Sequence, residues 1–297
     1  MKYILIILTL LFSNLSYAFK PDEKPINVII PFPPGGGVDQ TFRHFEKYLN
    51  AKNIKLIANY KPGANGIIGL TEFQNVSPDG YTIFLGTAGT IAEYLHKNPN
   101  KNVVPVSMIR TSIMTVLGKP NANIKTFSNL EAAIKNNERL LFSYNAPGQK
   151  LVIDQILEKY DLNKNIELVT YKGATQMLQE LSGSHVDISV TPFSVAKPFI
   201  DANKITLLAI DNDTNIEKYT TTLLPKYYNS WTKIDGFVVA LPNGTPTPII
   251  DTWSNIMREY LSDPTVLKDF KQDYMTPLTF GRAFADQMIK LSLLKIK

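Results

Sequence analysis

Nine consecutive residues, Pro31-Phe32-Pro33-Pro34-Gly35-Gly36-Gly37-Val38-Asp39, have the types and order best suited to holding another molecule. Three adjacent glycines leave the main chain uncovered, so a ligand can come close to its N–H groups. Val38, Phe42, Phe45 and Leu49 recur at helical spacing, which predicts a helix from about Asp39. The first N–H groups of a helix have no partner within it and carry the positive end of its dipole, an arrangement that favours an anion. Taken by itself, the segment is equally a cradle for a phosphate or carboxylate and a tight turn in which Asp39 caps the helix. It is neither of the common nucleotide loops. A phosphate-binding NTPase loop ends in Gly-Lys-Ser/Thr where Val38-Asp39-Gln40 stands here, and adjacent glycines do not make the dinucleotide fingerprint.

Signatures of catalysis are missing elsewhere. His44, His96 and His185 have no partner at metal-ligand spacing and the chain has no cysteine, which argues against a zinc site. No Gly-x-Ser-x-Gly elbow occurs, so a serine hydrolase of that kind lacks its nucleophile. A carboxylate pair for glycoside chemistry is assembled in space and is not legible in a sequence. No catalytic residue, metal or cofactor is therefore assigned, and a secreted hydrolase is the weaker alternative to a binding protein.

The elements that must position the glycine turn alternate regularly. Strands are expected at residues 27–30, 55–58, 81–85, 140–144, 166–170, 186–190, 205–210 and 236–241, and helices at 151–160, 174–181, 249–261 and from Pro264 to about Phe270. Strand and helix in alternation argue for an α/β protein with a largely parallel sheet. Two such units follow one another with no Gly/Ser-rich or Pro-rich linker, and a cleft between two α/β lobes is a common ligand site. No arginine stands out as a carboxylate fork, and Arg43 and Arg110 are expected at the surface.

Composition is that of an ordinary globular protein, 44% hydrophobic and 19% charged, with a net charge of +5 that shows no basic stripe and no sign of nucleic-acid binding. Lys2 gives a positive start, residues 3–12 are apolar except Thr9, and Ser16-Tyr17-Ala18 supplies a small-x-small exit before Phe19. That reads as a cleaved secretory signal over 1–18, since a membrane span needs about 20 apolar residues. Without cysteine, lipid anchoring after the signal and disulfide bonding are both excluded, and the mature chain must rely on its apolar core.

The chain also resembles the solute-binding proteins of tripartite tricarboxylate transporters, the TctC or Bug type. The resemblance starts at Ile29-Ile30-Pro31-Phe32-Pro33-Pro34-Gly35-Gly36-Gly37-Val38-Asp39 and continues with Lys61-Pro62-Gly63-Ala64-Asn65-Gly66 and Pro78-Asp79-Gly80-Tyr81-Thr82. It goes on through Tyr171-Lys172-Gly173, Gly183-Ser184-His185-Val186-Asp187 and Leu207-Leu208-Ala209-Ile210, and ends with Gly236 to Leu241 and Pro242-Asn243-Gly244-Thr245-Pro246. These pieces keep their order across nearly the whole mature chain. Two departures are Tyr60, where the family commonly has asparagine, and the stretch from Ser143 to Lys150, which lacks the family's following histidine.

The resemblance implies an α/β type II periplasmic-binding-protein fold with two lobes, a ligand cleft and a hinge crossed twice. Lobe 1 is then expected over 19–118 and 235–297, and lobe 2 over 119–234. The ligand-binding residues it implies are Phe32, Pro34, Gly35, Gly36, Gly37 and Asp39 in the turn, with Thr87, Ala88 and Thr90 after the third strand. From the second lobe come Ser143, Asn145, Tyr171, Gly173, Ala174, Thr175, Thr191 and Pro192. The implied function is capture of a small organic acid, a carboxylate, in the periplasm by a monomer that docks on membrane permease subunits. A sensory protein whose closed form contacts a membrane receptor is the alternative.

Overall fold

Residues 19–158, 165–210, 236–278 and 281–295 are described by the structure, a computed structural model. The expected secretory signal over 1–18, the end of the helix expected at 151–160 and the stretch 211–234 of the expected second lobe lie wholly or partly outside these residues. Among the described residues, no helix is long and apolar enough to cross a membrane.

The first strand, β1 (Ile26–Ile30), buries Ile26, Val28, Ile29 and Ile30 completely. An unbroken apolar strand of that kind needs cover on both faces of its sheet. The chain continues through α1 (Gly37–Asn50), β2 (Leu56–Tyr60), a 3-10 turn (Ala64–Gly66), α2 (Ile67–Phe73), β3 (Thr82–Thr87), α3 (Ala88–Lys97) and β4 (Val103–Ser112). A second unit follows: β5 (Met114–Gly118), α4 (Phe127–Lys135), β6 (Leu140–Tyr144), α5 (Pro147–Glu158), β7 (Ile166–Thr170), α6 (Ala174–Ser182), β8 (Ile188–Pro192), α7 (Phe193–Asp201) and β9 (Thr206–Ile210). The last part is β10 (Gly236–Pro242), α8 (Thr247–Ser262), α9 (Pro264–Gln272), β11 (Met275–Pro277) and α10 (Arg282–Lys295).

Two sheets result. One runs β11-β4-β10-β3-β1-β2 and the other β7-β6-β8-β5-β9. Both are mixed rather than largely parallel. In the first, β10 enters antiparallel between β3 and β4, while β1 is parallel to β2 and β3. In the second, β5 lies antiparallel between β8 and β9. The cause is the way the chain changes lobes: β4 ends in the first sheet at Ser112 and β5 begins in the second at Met114, leaving only Ile113 between them. The change of sheet therefore falls at Ile113 and not after residue 118, where the first lobe was expected to end. The chain returns to the first sheet between Ile210 and Gly236.

Each sheet is packed on both faces. Phe42, Phe45, Trp253 and Tyr260 fill one side of the first, and Leu70, Phe73, Phe84 and Ile91 the other. Phe127, Leu130, Phe142 and Ile153 cover one side of the second, with Leu117, Leu178, Leu181 and Val195 opposite. The indole of buried Trp253 donates to the Gly80 carbonyl at 3.0 Å, which satisfies its one polar group.

Candidate functional site

The glycine turn leaves β1 and enters α1. Gly35 has φ +84°, a left-handed conformation that costs glycine nothing. Gly36 is the N-cap of α1, with no side-chain cap bond. Asp39, which the sequence offered as that cap, does something else. Its Oδ2 accepts the Gly35 N–H at 2.9 Å, and its Oδ1 accepts the Tyr60 hydroxyl and lies 3.4 Å from Arg43 Nε. The carboxylate thus ties the turn back onto the helix, and the N–H groups at the helix start are left uncapped. Tyr60, the departure from the family pattern, is part of this clamp, and Arg43 Nη2 donates to its hydroxyl at 2.9 Å. Burial and the bond to Asp39 push the Tyr60 hydroxyl up to about 12.

The second lobe presents the same kind of feature. Gly173 is the N-cap of α6 and Pro192 that of α7, again without side-chain cap bonds. Asn145 and Ala146 lead into α5, and its start is held by Gln149, whose Oε1 accepts the Asn145 N–H at 2.7 Å. In the first lobe Thr87 caps α3 with its own hydroxyl, which accepts the Thr90 N–H at 3.1 Å. Helix starts from both lobes therefore converge on one place, at the carboxyl ends of strands where open α/β sheets bind ligands. The lobes touch there. A Cβ on Gly173 would lie 2.2 Å from Pro33 Cγ, and one on Gly35 would lie 3.0 Å from Thr175 Oγ1.

Between them is a narrow cleft with a cavity of about 50 Å³. Of the residues singled out in the sequence, Phe32, Gly36, Gly37, Thr87, Asn145, Gly173, Ala174 and Pro192 line it. Others are placed around it. Pro34 and Gly35 are exposed, and Thr175 faces Gly35. Ala88 and Thr90 are buried in the first turn of α3, where the Thr90 hydroxyl bonds that of Thr87. The Ser143 hydroxyl bonds Ser189 Oγ and the Ile188 carbonyl inside the second sheet. Tyr171 packs on the apolar cluster of Leu117 and Leu178, and burial raises its hydroxyl. Buried Thr191 Oγ1 has no hydrogen-bond partner among the described residues, and neither has Asn145 Oδ1.

Sequence reasoning missed Ser112 and Met114, which flank the change of sheet, and Gln149, Gly236 and Phe237. Among the described residues, no titratable side chain lines the cleft. Among the described residues, no group of three or more His, Cys, Asp or Glu is placed to hold a metal.

Arg110 corrects the sequence reading outright: it lies near the end of β4 and is 0% exposed. Its Nε donates to Thr41 Oγ1 at 2.8 Å and its Nη2 to the Gly37 carbonyl at 2.8 Å. Nη1 donates to Ser112 Oγ at 3.2 Å and to the Thr111 carbonyl at 3.3 Å, and the guanidinium stands 4.0 Å from the centre of the Phe237 ring. Burial pushes Arg110 down to about 9, which leaves it a cation at neutral pH. Arg43, by contrast, is at the surface, its side chain 54% exposed.

Comparison with known proteins places this architecture. The two-lobe fold is that of periplasmic binding proteins. The periplasmic binding protein BugD superposes with a TM-score of 0.80 at 22% identity, over 92% of this chain and 96% of its own. Rpa4515 of R. palustris, solved with adipate, gives 0.80 at 18% identity over 92% and 95%. MatC (Rpa3494) from Rhodopseudomonas palustris, solved with bound malate, gives 0.76 at 16% identity over 92% and 99%. In sequence, the protein BugT of Bordetella pertussis is 25% identical over 267 residues, 86% of this chain and 82% of BugT. The family model of the tripartite tricarboxylate transporter family receptor matches residues 45–293, and the chain belongs to that family.

Proposed function

We propose that this chain is an extracytoplasmic solute receptor that captures a small organic acid between its lobes, performs no chemistry on it, and delivers it as a monomer to the permease subunits of a tripartite transporter in the membrane. The observation that carries the reading is the convergence of uncapped helix starts from both lobes, at Gly36, Gly173 and Pro192, on one cleft. Main-chain N–H groups at the starts of the Gly36 and Gly173 helices make an anion site from each side, whereas at the Pro192 helix the Phe193 N–H is already donated to the Ile113 carbonyl at 2.7 Å. A cleft whose described lining has no acid, base or nucleophile of ordinary reactivity suits holding better than reacting. The ligands seen in two fold neighbours, adipate and malate, are carboxylates, and the neighbour BugD is a periplasmic protein, in keeping with the secretory signal read at residues 1–18. Closure then follows as a population shift: a carboxylate docks on one lobe's donors and stabilises the arrangement that adds the other's.

Thermal shift of the purified mature protein against di- and tricarboxylates, amino acids and aromatic acids tests this. A ligand bound only by the folded state at 100 times its Kd adds about 2.7 kcal/mol to stability. Gly36→Leu is the matched control. The nearest atom to a Cβ there is the Pro33 carbonyl at 3.8 Å, so the fold accepts the branch while its side chain occupies the cleft. A rise with one carboxylate class that Gly36→Leu abolishes is expected. A flat response throughout, or a rise only with uncharged solutes, overturns the proposal.

A further inference from the structure

Arg110 has three properties that a structural arginine does not need together. It is wholly buried, it has no carboxylate within ion-pair distance among the described residues, and it lies against the lining of the cleft. Buried charges are normally paired, because removing an ion from water without a partner is costly. Here the guanidinium is held only by neutral acceptors: Thr41, Ser112 and the carbonyls of Gly37 and Thr111. Asp273, the one carboxylate among the described residues whose charge reaches it, is bonded to His44 at 2.8 Å. Among the described residues, no carboxylate neutralises its positive charge.

Its surroundings direct it at the cleft. Nη2 would be 3.6 Å from a Cβ on Gly37, a lining residue, and the Phe237 ring, also in the lining, is stacked on the guanidinium. Ser112 completes the geometry. Its oxygen accepts from Arg110 Nη1 at 3.2 Å, no other hydrogen bond of its hydroxyl is made among the described residues, and it lines the cleft. A hydroxyl whose oxygen is engaged by a cation has its proton free to donate, and that donor is strengthened by the charge behind it.

Resting on the reading of the cleft as a carboxylate site, we propose that Arg110 is the site's counter-charge and that Ser112 is the donor through which it grips the ligand, so that the pair selects an ionised carboxylate over its neutral isostere. Main-chain N–H groups alone discriminate weakly between a carboxylate and a carboxamide, since both present a carbonyl oxygen. An unpaired buried cation discriminates strongly, because only the carboxylate neutralises it. Arg110 acts from behind the lining as a positioning and specificity residue, and Ser112 makes the contact.

Isothermal titration supplies the test. Wild type, Arg110→Met, Arg110→Lys and Ser112→Ala are titrated with malonate, succinate, adipate, malate and citrate, and with the corresponding amides. Wild type is expected to prefer its best carboxylate over the matching amide by more than about tenfold. Arg110→Met should lose about 100-fold in carboxylate affinity and nearly all of that preference, with little change for the amide. Ser112→Ala should lose about tenfold and Arg110→Lys should fall between, since lysine keeps the charge and loses the fork. The carboxylate-to-amide ratio is the readout that a purely structural role would leave unchanged. Carboxylate binding by Arg110→Met within about threefold of wild type overturns this inference and leaves the carboxylate receptor standing. Should Arg110→Met fail to fold, an unchanged ratio in Ser112→Ala overturns it equally. A wild type that binds none of the acids, or binds amides as well, overturns the carboxylate reading and this inference together.

Discussion

Replacing Gly173 with alanine is expected to jam the clasp without harming either lobe. Gly173 has φ −161°, extended backbone that any residue adopts, so the substitution carries no backbone strain. The obstacle is space alone, because the added carbon would lie 2.2 Å from Pro33 Cγ and 2.9 Å from its Cδ. Normal carbon–carbon contact is about 3.5–4.0 Å, so the lobes must part there by about 1.5 Å. A hydrogen bond of about 2.9 Å from the second lobe to a bound carboxylate then stretches beyond about 4 Å and ceases to be one. One or two bonds to a charged group, at about 1.5–3 kcal/mol each, are at stake. Allowing for partial relaxation of the proline ring, binding weakens by about 2–4 kcal/mol, or roughly 30- to 1,000-fold. Titration calorimetry with the best ligand of the thermal-shift panel measures it, and the melting temperature without ligand should hold, since the clash lies between the lobes and inside neither. A Gly173→Ala protein of wild-type stability that binds within about threefold of wild type refutes the reasoning.

Three further outcomes follow from the contacts described. Thr87→Ala removes the hydroxyl that caps α3, which should lower stability by about 0.5–2 kcal/mol in urea unfolding. Asp187→Ala strips the Leu141 N–H and Lys119 of their carboxylate partner, at 2.8 and 2.6 Å. It should cost about 1–3 kcal/mol in stability with no change in Kd, because this carboxylate braces the second lobe far from the lining. Burial and the bond to Asp39 push the Tyr60 hydroxyl up to about 12, above the ordinary tyrosine value of 10.0. A raised pKa means that its contribution is complete below pH 10 and is lost as pH rises toward 12. Tyr60→Phe should therefore flatten the alkaline limb of a stability-against-pH curve between those values, and an unaltered limb would show that the clamp on Asp39 does not depend on the hydroxyl.

Much of the fold was legible because its strands obey simple rules. Residues 140–144 and 166–170 form strands as read, each being a short run bounded by polar or turn residues. The glycine turn was legible too, since glycines between a strand and a helix have few other uses. What escaped was whatever depends on partners distant in sequence. Strands β4 and β5 carry no alternating pattern, because both are covered on each face, and polar Ser107, Arg110 and Ser112 sit among their apolar residues. Arg110 looked like a surface residue because nothing near it in the chain hints at Thr41 and Gly37, some seventy positions earlier. Ser143 and Thr90 stand at strand ends or helix starts, as ligand-binding residues do, yet their hydroxyls are spent inside the protein. The sequence reveals such positions but not the direction of their side chains.

In the proposed receptor, the glycine turn and the helix starts opposite it hold the ligand with main-chain groups beside Ser112, and main chain does not mutate. So long as glycine occupies the few positions where a Cβ would intrude, the anion-gripping part of the cleft can survive extensive substitution elsewhere. Side chains that border it without bracing a helix start or Arg110, such as Met114, are free to vary and to reshape the rest of the cavity. A receptor built this way can change the acid it carries by exchanging a few contour residues over its history, without having to reinvent the means by which it holds a charge.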